Sequence, residues 1–411
     1  MPAYDAFLLL SFGGPEGPDD VLPFLQNVTR GRGVPAERLA EVAEHYYAVG
    51  GVSPINDQCR ELLANIRAAG LDLPMYWGNR NWRPFLDDTV REMADAGVER
   101  AIAFVTSAYS SYSACRQYYD DLDRAIAAVG PRAPRIDKIR PYFNHPGFVE
   151  PFAASVADAL ATLPGGAQEG ARLLCTAHSV PDAMAAASGS QTAGTAVSGA
   201  VGGRYAAELG EASRLISERA VVGSLPFDLV YQSRSGPPSV PWLAPDVNDH
   251  LRSLAARGGV SGVVVAPVGF VSDHMEVVHD LDVEAAATAA SLGLAFARAK
   301  APGTSPRFAQ MVCELVAERT AGAPALALGA FGLGAFAGGA DACPADCCRY
   351  SPRRPPGGSP YGSAGRPPGA AASPTGAAAS PPDTAASPPG AAARPTGTAA
   401  RPGADAMGSA R

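Results

Sequence analysis

Short apolar segments alternate with helix-forming segments from the first residues to about residue 320, and this rhythm limits the fold more than any other feature. Strands separated by helices return through crossovers, so they pair in parallel, with helices on both faces of the sheet. Strands are expected at residues 6–11, 74–78, 100–106, 172–176, 228–232 and 262–267. Helices are expected at 19–27, 57–69, 82–96, 113–129, 210–222, 246–257, 273–292 and 305–319. The fold class is α/β.

The two halves repeat one another. Tyr76-Trp77-Gly78-Asn79-Arg80 leads into the segment holding Asp87-Asp88, and Tyr231-Gln232-Ser233-Arg234 leads into the segment holding Asp246. Gly97-Val98-Glu99-Arg100 precedes one apolar strand and Gly259-Val260-Ser261-Gly262 its counterpart. Three matches in one order predict two doubly wound, Rossmann-like lobes, residues 1–150 and 151–320, with a ligand cleft between them. Residues 321–350 follow as a linker with a cysteine cluster. Residues 351–411 are Pro, Ala, Gly, Ser and Thr with scattered Arg, which cannot bury enough apolar surface to offset chain entropy, so a disordered tail is expected. Residues 184–203, rich in Ala, Gly and Ser, read as a flexible inserted loop beside His178.

With 411 residues the chain is long enough for two full cores. A net charge of −7 argues against a nucleic-acid partner, which would want a clustered basic face. The first residues run straight into a strand, with no basic leader or cleavage site, so a cytoplasmic protein is expected. Residues 321–340 carry no charge, but their Ala and Gly are too weakly hydrophobic to favour a membrane span over a linker. Seven cysteines without a secretory signal do not make a disulfide framework.

Chemistry concentrates at two strand-to-loop junctions. In Leu173-Leu174-Cys175-Thr176-Ala177-His178-Ser179-Val180-Pro181, His178 stands at the carboxyl end of a strand, where open α/β sheets bind ligands. A histidine can instead cap a helix or be satisfied within the core, but a place at the carboxyl end of a central strand makes that the weaker reading. In the run from Gly269 to Glu284, Glu276, Asp280 and Glu284 stand four apart, and a helix would align them in one acidic stripe. Such a stripe is often a solvated face; here it starts just past an apolar strand, inside the expected cleft. It would attract a divalent cation, and crowding would raise some of its carboxyl pKa values toward neutrality. Gly13-Gly14-Pro15 lacks the spacing of a dinucleotide loop, and its glycines are expected to let a flat ligand approach the backbone.

Taken together, Leu10-Ser11-Phe12-Gly13-Gly14-Pro15, Gly50-Gly51-Val52-Ser53-Pro54, Gly78-Asn79-Arg80, Thr176-Ala177-His178-Ser179, Gln232-Ser233-Arg234-Ser235-Gly236-Pro237 and Ser272-Asp273-His274-Met275-Glu276 resemble the ferrochelatase family over residues 4–320. Gly78-Asn79-Arg80-Asn81-Trp82, Tyr112-Ser113-Ala114-Cys115-Arg116-Gln117-Tyr118 and the cysteine-rich end resemble its actinobacterial branch. The resemblance implies insertion of ferrous iron into a porphyrin held between the lobes, with coproporphyrin III as the acceptor; protoporphyrin IX is the alternative acceptor, and a tetrapyrrole carrier the alternative class. His178 and Glu276 match the pair that binds iron and accepts the pyrrole protons, a fitting role for an imidazole and a carboxylate. Asp280 and Glu284 would form an acidic path for metal and protons. Ser53, Tyr46, Arg30 and Tyr118 match macrocycle-contacting positions. Phe12 departs from a tyrosine that some members use as an axial ligand, and reads as cleft wall. Cys343, Cys347 and Cys348, with the distant Cys115, resemble the ligands of a [2Fe–2S] cluster, which needs four thiolates; a zinc site or vacant thiols are the other readings. Cys59, Cys175 and Cys313 look like ordinary buried thiols. No stable membrane insertion is implied, and a monomer is expected.

Overall fold

The computed structural model describes residues 4–31, 33–189, 202–235, 239–331 and 346–351. Cys343, residues 190–201 of the expected loop, residues 332–340 of the uncharged stretch and the tail beyond residue 351 lie outside them.

Among the described residues, the first half forms a sheet from β1 (Ala6–Ser11), β2 (Met75–Asn79), β3 (Arg100–Val105) and β4 (Arg135–Lys138), in the order β2-β1-β3-β4. The second half does the same with β5 (Ala171–His178), β6 (Phe227–Gln232), β7 (Gly262–Ala266) and β8 (Ala295–Arg298), in the order β6-β5-β7-β8. All these pairings are parallel. The strand order is identical in the two halves, which is the repeat expected from the matched motifs.

The helices of the first half are α1 (Pro18–Val28), α2 (Ala36–Tyr47), α3 (Ile55–Ala68), α4 (Leu86–Asp95), α5 (Gln117–Val129) and α6 (Pro146–Thr162). Those of the second are α7 (Gly165–Glu169), α8 (Asp182–Ala186), α9 (Gly203–Ala220), α10 (Val247–Arg257), α11 (Met275–Val277), α12 (Ala286–Ser291) and α13 (Pro306–Thr320). Two segments expected to be plain α-helix contain wide π turns, at Tyr112–Arg116 before α5 and at Val278–Ala285 between α11 and α12. The helix expected from residue 82 starts at Leu86, because the peptide carbonyl of Pro84 accepts from the Asn79 N–H (2.7 Å) and residues 82–85 loop back against β2.

Alternate residues of one strand feed different cores, as strands covered on both faces require. Phe7 and Leu9 of β1 join a large cluster with α3, α6, α9 and α13, while Ala6, Leu8 and Leu10 pack under α4 and α5. In β5, Leu173, Cys175 and Ala177 enter that same large cluster, while Leu174 packs under α10 and the π segment. The large core is therefore shared by both lobes, and the boundary drawn at 150/151 falls inside α6. A small separate core of Val21, Phe24, Leu25 and Ala43 holds α1 against α2, with Trp82 beneath. No helix among the described residues is long and apolar enough to cross a membrane.

Candidate active site

His178 is the last residue of β5, opposite Gln232 at the end of β6. Pro181, without an N–H, stands three residues on, past the parallel pairing with β6, in an isolated antiparallel bridge with Trp242. The His178 Nδ1 is hydrogen-bonded to the carbonyl oxygen of Ser179. A carbonyl only accepts, so Nδ1 carries the proton of the neutral ring and Nε2 is left with its lone pair. That Nε2 lies 3.9 Å from Oε2 of Glu276, and the two side chains are 32% and 45% exposed, open to a reactant. The Tyr205 hydroxyl donates to the carbonyl of His178 (3.1 Å), fixing the strand end from α9. Gly269, in the loop after β7, lies so close to Ala177 that a Cβ there would sit 2.6 Å from the alanine Cβ.

Glu276 enters from the other junction, at the start of α11. His274 caps this helix, its Nδ1 accepting from the Glu276 N–H (3.2 Å). Burial holds the His274 imidazole below its ordinary range, more than the Glu276 charge raises it, which keeps the accepting lone pair available. The Glu276 carbonyl in turn accepts from Nε2 of Gln232 (2.9 Å). Both members of the facing pair are thus tied to the end of β6.

The acidic file runs outward from there, and residues four apart stay close to one face through the wide π turn. Asp280 accepts from Ser233 Oγ and, at 3.3 Å, from Gln232 Nε2. Burial first, then the charges of Glu276 and Glu284, push its carboxyl up to about 6, against the opposing Ser233 donor. Nδ1 of His279 is 3.5 Å from Asp280 Oδ1 and 3.9 Å from Glu284 Oε1. The ligand atoms of His279, Asp280 and Glu284 lie within 4.8 Å of one another, a spacing one cation can bridge. From α2 of the first lobe, His45 stacks on His279 with centroids 4.1 Å apart. Beside it, burial and the charges of Glu276 and Asp280 push the phenol of Tyr46 well above its usual range, so that it stays a neutral donor facing the carboxylates.

The remaining first-lobe residues are placed differently. Phe12 is 37% exposed, 6.3 Å from Phe24 by ring centroid, with the Arg80 guanidinium 6.0 Å away. Tyr118 is buried beneath Arg80, at 4.6 Å, and Arg80 is paired with Asp121. Ser53 is buried under the Gly13-Gly14 turn, its N–H donating to the Pro15 carbonyl (2.8 Å). Arg30 is exposed on the turn after α1. The structure thus groups His178, Glu276, Asp280, Glu284 and Tyr46, joins Phe12 and Tyr118 through Arg80, and ties neither Ser53 nor Arg30 directly to the facing pair. The close approach expected at Gly13 is made by the protein itself: at φ +80°, its Cβ would lie 2.8 Å from that of Asn79.

The ferrochelatase family model matches residues 4–320. This chain belongs to the ferrochelatase family. Coproporphyrin III ferrochelatase of Nocardia farcinica is 55% identical over 332 residues, covering 80% of this chain and 92% of that one. Those of Streptomyces griseus and Mycolicibacterium smegmatis are 54% and 53% identical, covering 80% and 78% of this chain and 90% and 92% of theirs.

Away from the His178–Glu276 pair of this ferrochelatase-family chain, Cys347 and Cys348 are buried with their sulfurs 3.7 Å apart. Two ligands of one tetrahedral metal with bonds of roughly 2.3 Å would have sulfurs about 3.8 Å apart. The Gly189 N–H donates to Cys348 Sγ (3.2 Å), its carbonyl accepts from the Cys348 N–H (3.0 Å), and Cys348 is held at φ +55°, a strained conformation for a side-chain-bearing residue. Cys115 is buried in the first π turn, and Tyr112 of that turn meets Tyr350 at 6.1 Å. Burial pushes the thiols of Cys59 and Cys175 up to about 11 and about 12, and raises that of the half-buried Cys313.

Sequence reasoning missed Gln232, Ser233, His45 and His279 as participants. Gln232 and Ser233 stood in a recognised motif at a strand end, the same signal that singled out His178. His45 gave no signal, because α2 itself was not expected.

Proposed function

We propose that this chain inserts ferrous iron into coproporphyrin III to give the iron coproporphyrin of haem synthesis, with His178 and Glu276 at the point of insertion. The observation that carries the reading is the bare Nε2 of His178 facing a Glu276 carboxylate 3.9 Å away, each held from behind by hydrogen bonds. An imidazole nitrogen and a carboxylate are ligands for Fe²⁺ and bases for the two pyrrole protons that must leave as iron enters. Asp280, titrating near 6, and Glu284 pass those protons to solvent and draw the incoming cation. Phe12 and Tyr46 form cleft wall, Arg30 and Ser53 stand at macrocycle-contacting positions, and Tyr118 supports Arg80 from below. Relatives at 53–55% identity that bear the coproporphyrin III name support this acceptor over protoporphyrin IX.

We further propose that Cys347, Cys348, Cys115 and Cys343 hold a [2Fe–2S] cluster. The 3.7 Å sulfur separation and the Gly189 N–H donated to Cys348 support it; when bound, the cluster would supply a one-electron couple. The protein is proposed to be a cytoplasmic monomer.

Anaerobic Fe²⁺ insertion into coproporphyrin III and protoporphyrin IX in parallel tests the reading. The first should be metallated faster. His178→Ala should keep porphyrin affinity and lose roughly 10²–10⁴ in rate, the range for a positioned base. Undiminished insertion by His178→Ala, or a preference for protoporphyrin IX, would refute it.

A further inference from the structure

One buried ion pair has no part in the metallation chemistry. On the first turns of α9, Arg204 Nε lies 2.6 Å from Glu208 Oε1, with side chains 8% and 0% exposed. A pair so far from water adds little net stability by itself, although breaking it is costly. Its surroundings give it a position between two cysteine-bearing turns.

Toward one turn, Glu208 receives both the N–H and the hydroxyl of Ser110, at 2.7 and 2.8 Å. The next residue, Ser111, caps the π turn: its Oγ accepts from the Ala114 N–H (3.0 Å), and its carbonyl accepts from the N–H of Cys115 (3.0 Å). Toward the other turn, Arg204 is in electrostatic reach of both Cys347 and Cys348. The N–H of the neighbouring Tyr205 donates to Ser188 Oγ (2.8 Å), and Ser188 adjoins Gly189, which exchanges two hydrogen bonds with Cys348. A single helix start therefore holds the Cys115 turn through its acid and faces the Cys347-Cys348 turn with its base.

We propose that Arg204 and Glu208 are the charge-balancing and aligning pair of the thiol site: Arg204 offsets the negative charge of the Cys347 and Cys348 sulfurs, and Glu208 fixes the turn that presents Cys115. This rests on the cluster reading. The Cys347 and Cys348 sulfurs act electrostatically on Arg204, while Glu208 is engaged with Ser110. A nearby cation favours the more negative, reduced form of a cluster, and an anion opposes it.

The test uses the full-length protein, purified anaerobically and poised with dithionite, with iron, acid-labile sulfide and the midpoint potential measured together. Arg204→Met alone would strand a buried carboxylate and endanger folding, so the double variant Arg204→Met/Glu208→Gln is used, with circular dichroism to verify the fold. Its potential should fall, because the cation on which the two sulfurs act is lost. Glu208→Gln alone keeps an acceptor for Ser110 and leaves Arg204 uncompensated, so its potential should rise. Each shift is expected to approach tenfold in the oxidised-to-reduced ratio, about 59 mV for one electron. Arg204→Lys, which keeps the charge, should stay near the parent. Shifts of the same sign, or none, in protein that retains iron and sulfide would overturn the assignment of the pair alone. Parent protein with neither iron nor sulfide would overturn the cluster reading and the pair's role with it, leaving metallation at His178 untouched.

Discussion

Replacing Asp280 with Asn should stabilise the protein while impairing it. The carboxyl is raised from 3.8 to about 6 by burial and by Glu276 and Glu284, and its side chain is 18% exposed. A raised acid in the folded state means that the unfolded chain gives up this proton more readily. The fold therefore carries a penalty that is full above about pH 6 and vanishes below the unfolded value of 3.8. At about 1.36 kcal/mol per pH unit the penalty comes to about 3 kcal/mol at pH 7–8 and to roughly half of that at pH 5. Asn is nearly isosteric, and its oxygen still accepts from Ser233 and Gln232, so the hydrogen bonds that hold the π segment persist. Urea unfolding of parent and variant at pH 8 and pH 5 should show a gain of about 2–3 kcal/mol at the higher pH and a visibly smaller one at the lower. Metallation at limiting Fe²⁺ should fall in the same variant, since a charge on the proposed cation path has gone. A variant no more stable than the parent at pH 8, or a gain that does not shrink at pH 5, would refute the account of crowded, buried carboxylates.

Gln232→Leu removes the donors to the Glu276 carbonyl and to Asp280; a stability loss of about 1–3 kcal/mol is expected, with a fall in kcat for iron insertion larger than any change in porphyrin KM. Gly269→Ala would press a methyl group to 2.6 Å from the Ala177 Cβ; overpacking should cost about 1–3 kcal/mol, read by calorimetry, and displace the end of β5 enough to slow metallation.

The central strands were legible because they are buried on both faces and so read as unbroken apolar runs, as Leu8-Leu9-Leu10 and Val263-Val264-Val265 do. Of the edge strands, β2 and β6 were expected but β4 and β8 were not. β4 is Arg135-Ile136-Asp137-Lys138, short and mostly polar, and it pairs because β3 offers an open edge rather than because its own pattern demands a strand. The π turns were hidden for a different reason: acids four apart suit a regular helix and a widened one alike, so spacing could not separate them. His178 could be picked out because its apolar strand stops at it, and Glu276 because it opens the acidic stripe in the run that follows another apolar strand. At Gly13 the sequence could not show that Asn79 packs where a Cβ would stand, since a sequence says where Cβ is missing but not whose atoms take its place. Tyr46 was placed by resemblance alone, on a helix that residue pattern had not revealed.

The apolar core common to both sheets bears on how the protein can be handled and how it moves. Severing the chain midway would slice α6 lengthwise from its partners and leave each half with a raw hydrocarbon wall, so neither should survive as a separate module. For the same reason the halves are not free to swing apart like jaws. The small α1–α2 unit, by contrast, rests on its own four-residue cushion of Val21, Phe24, Leu25 and Ala43, apart from that common core, and reaches the second half through the His45–His279 stack.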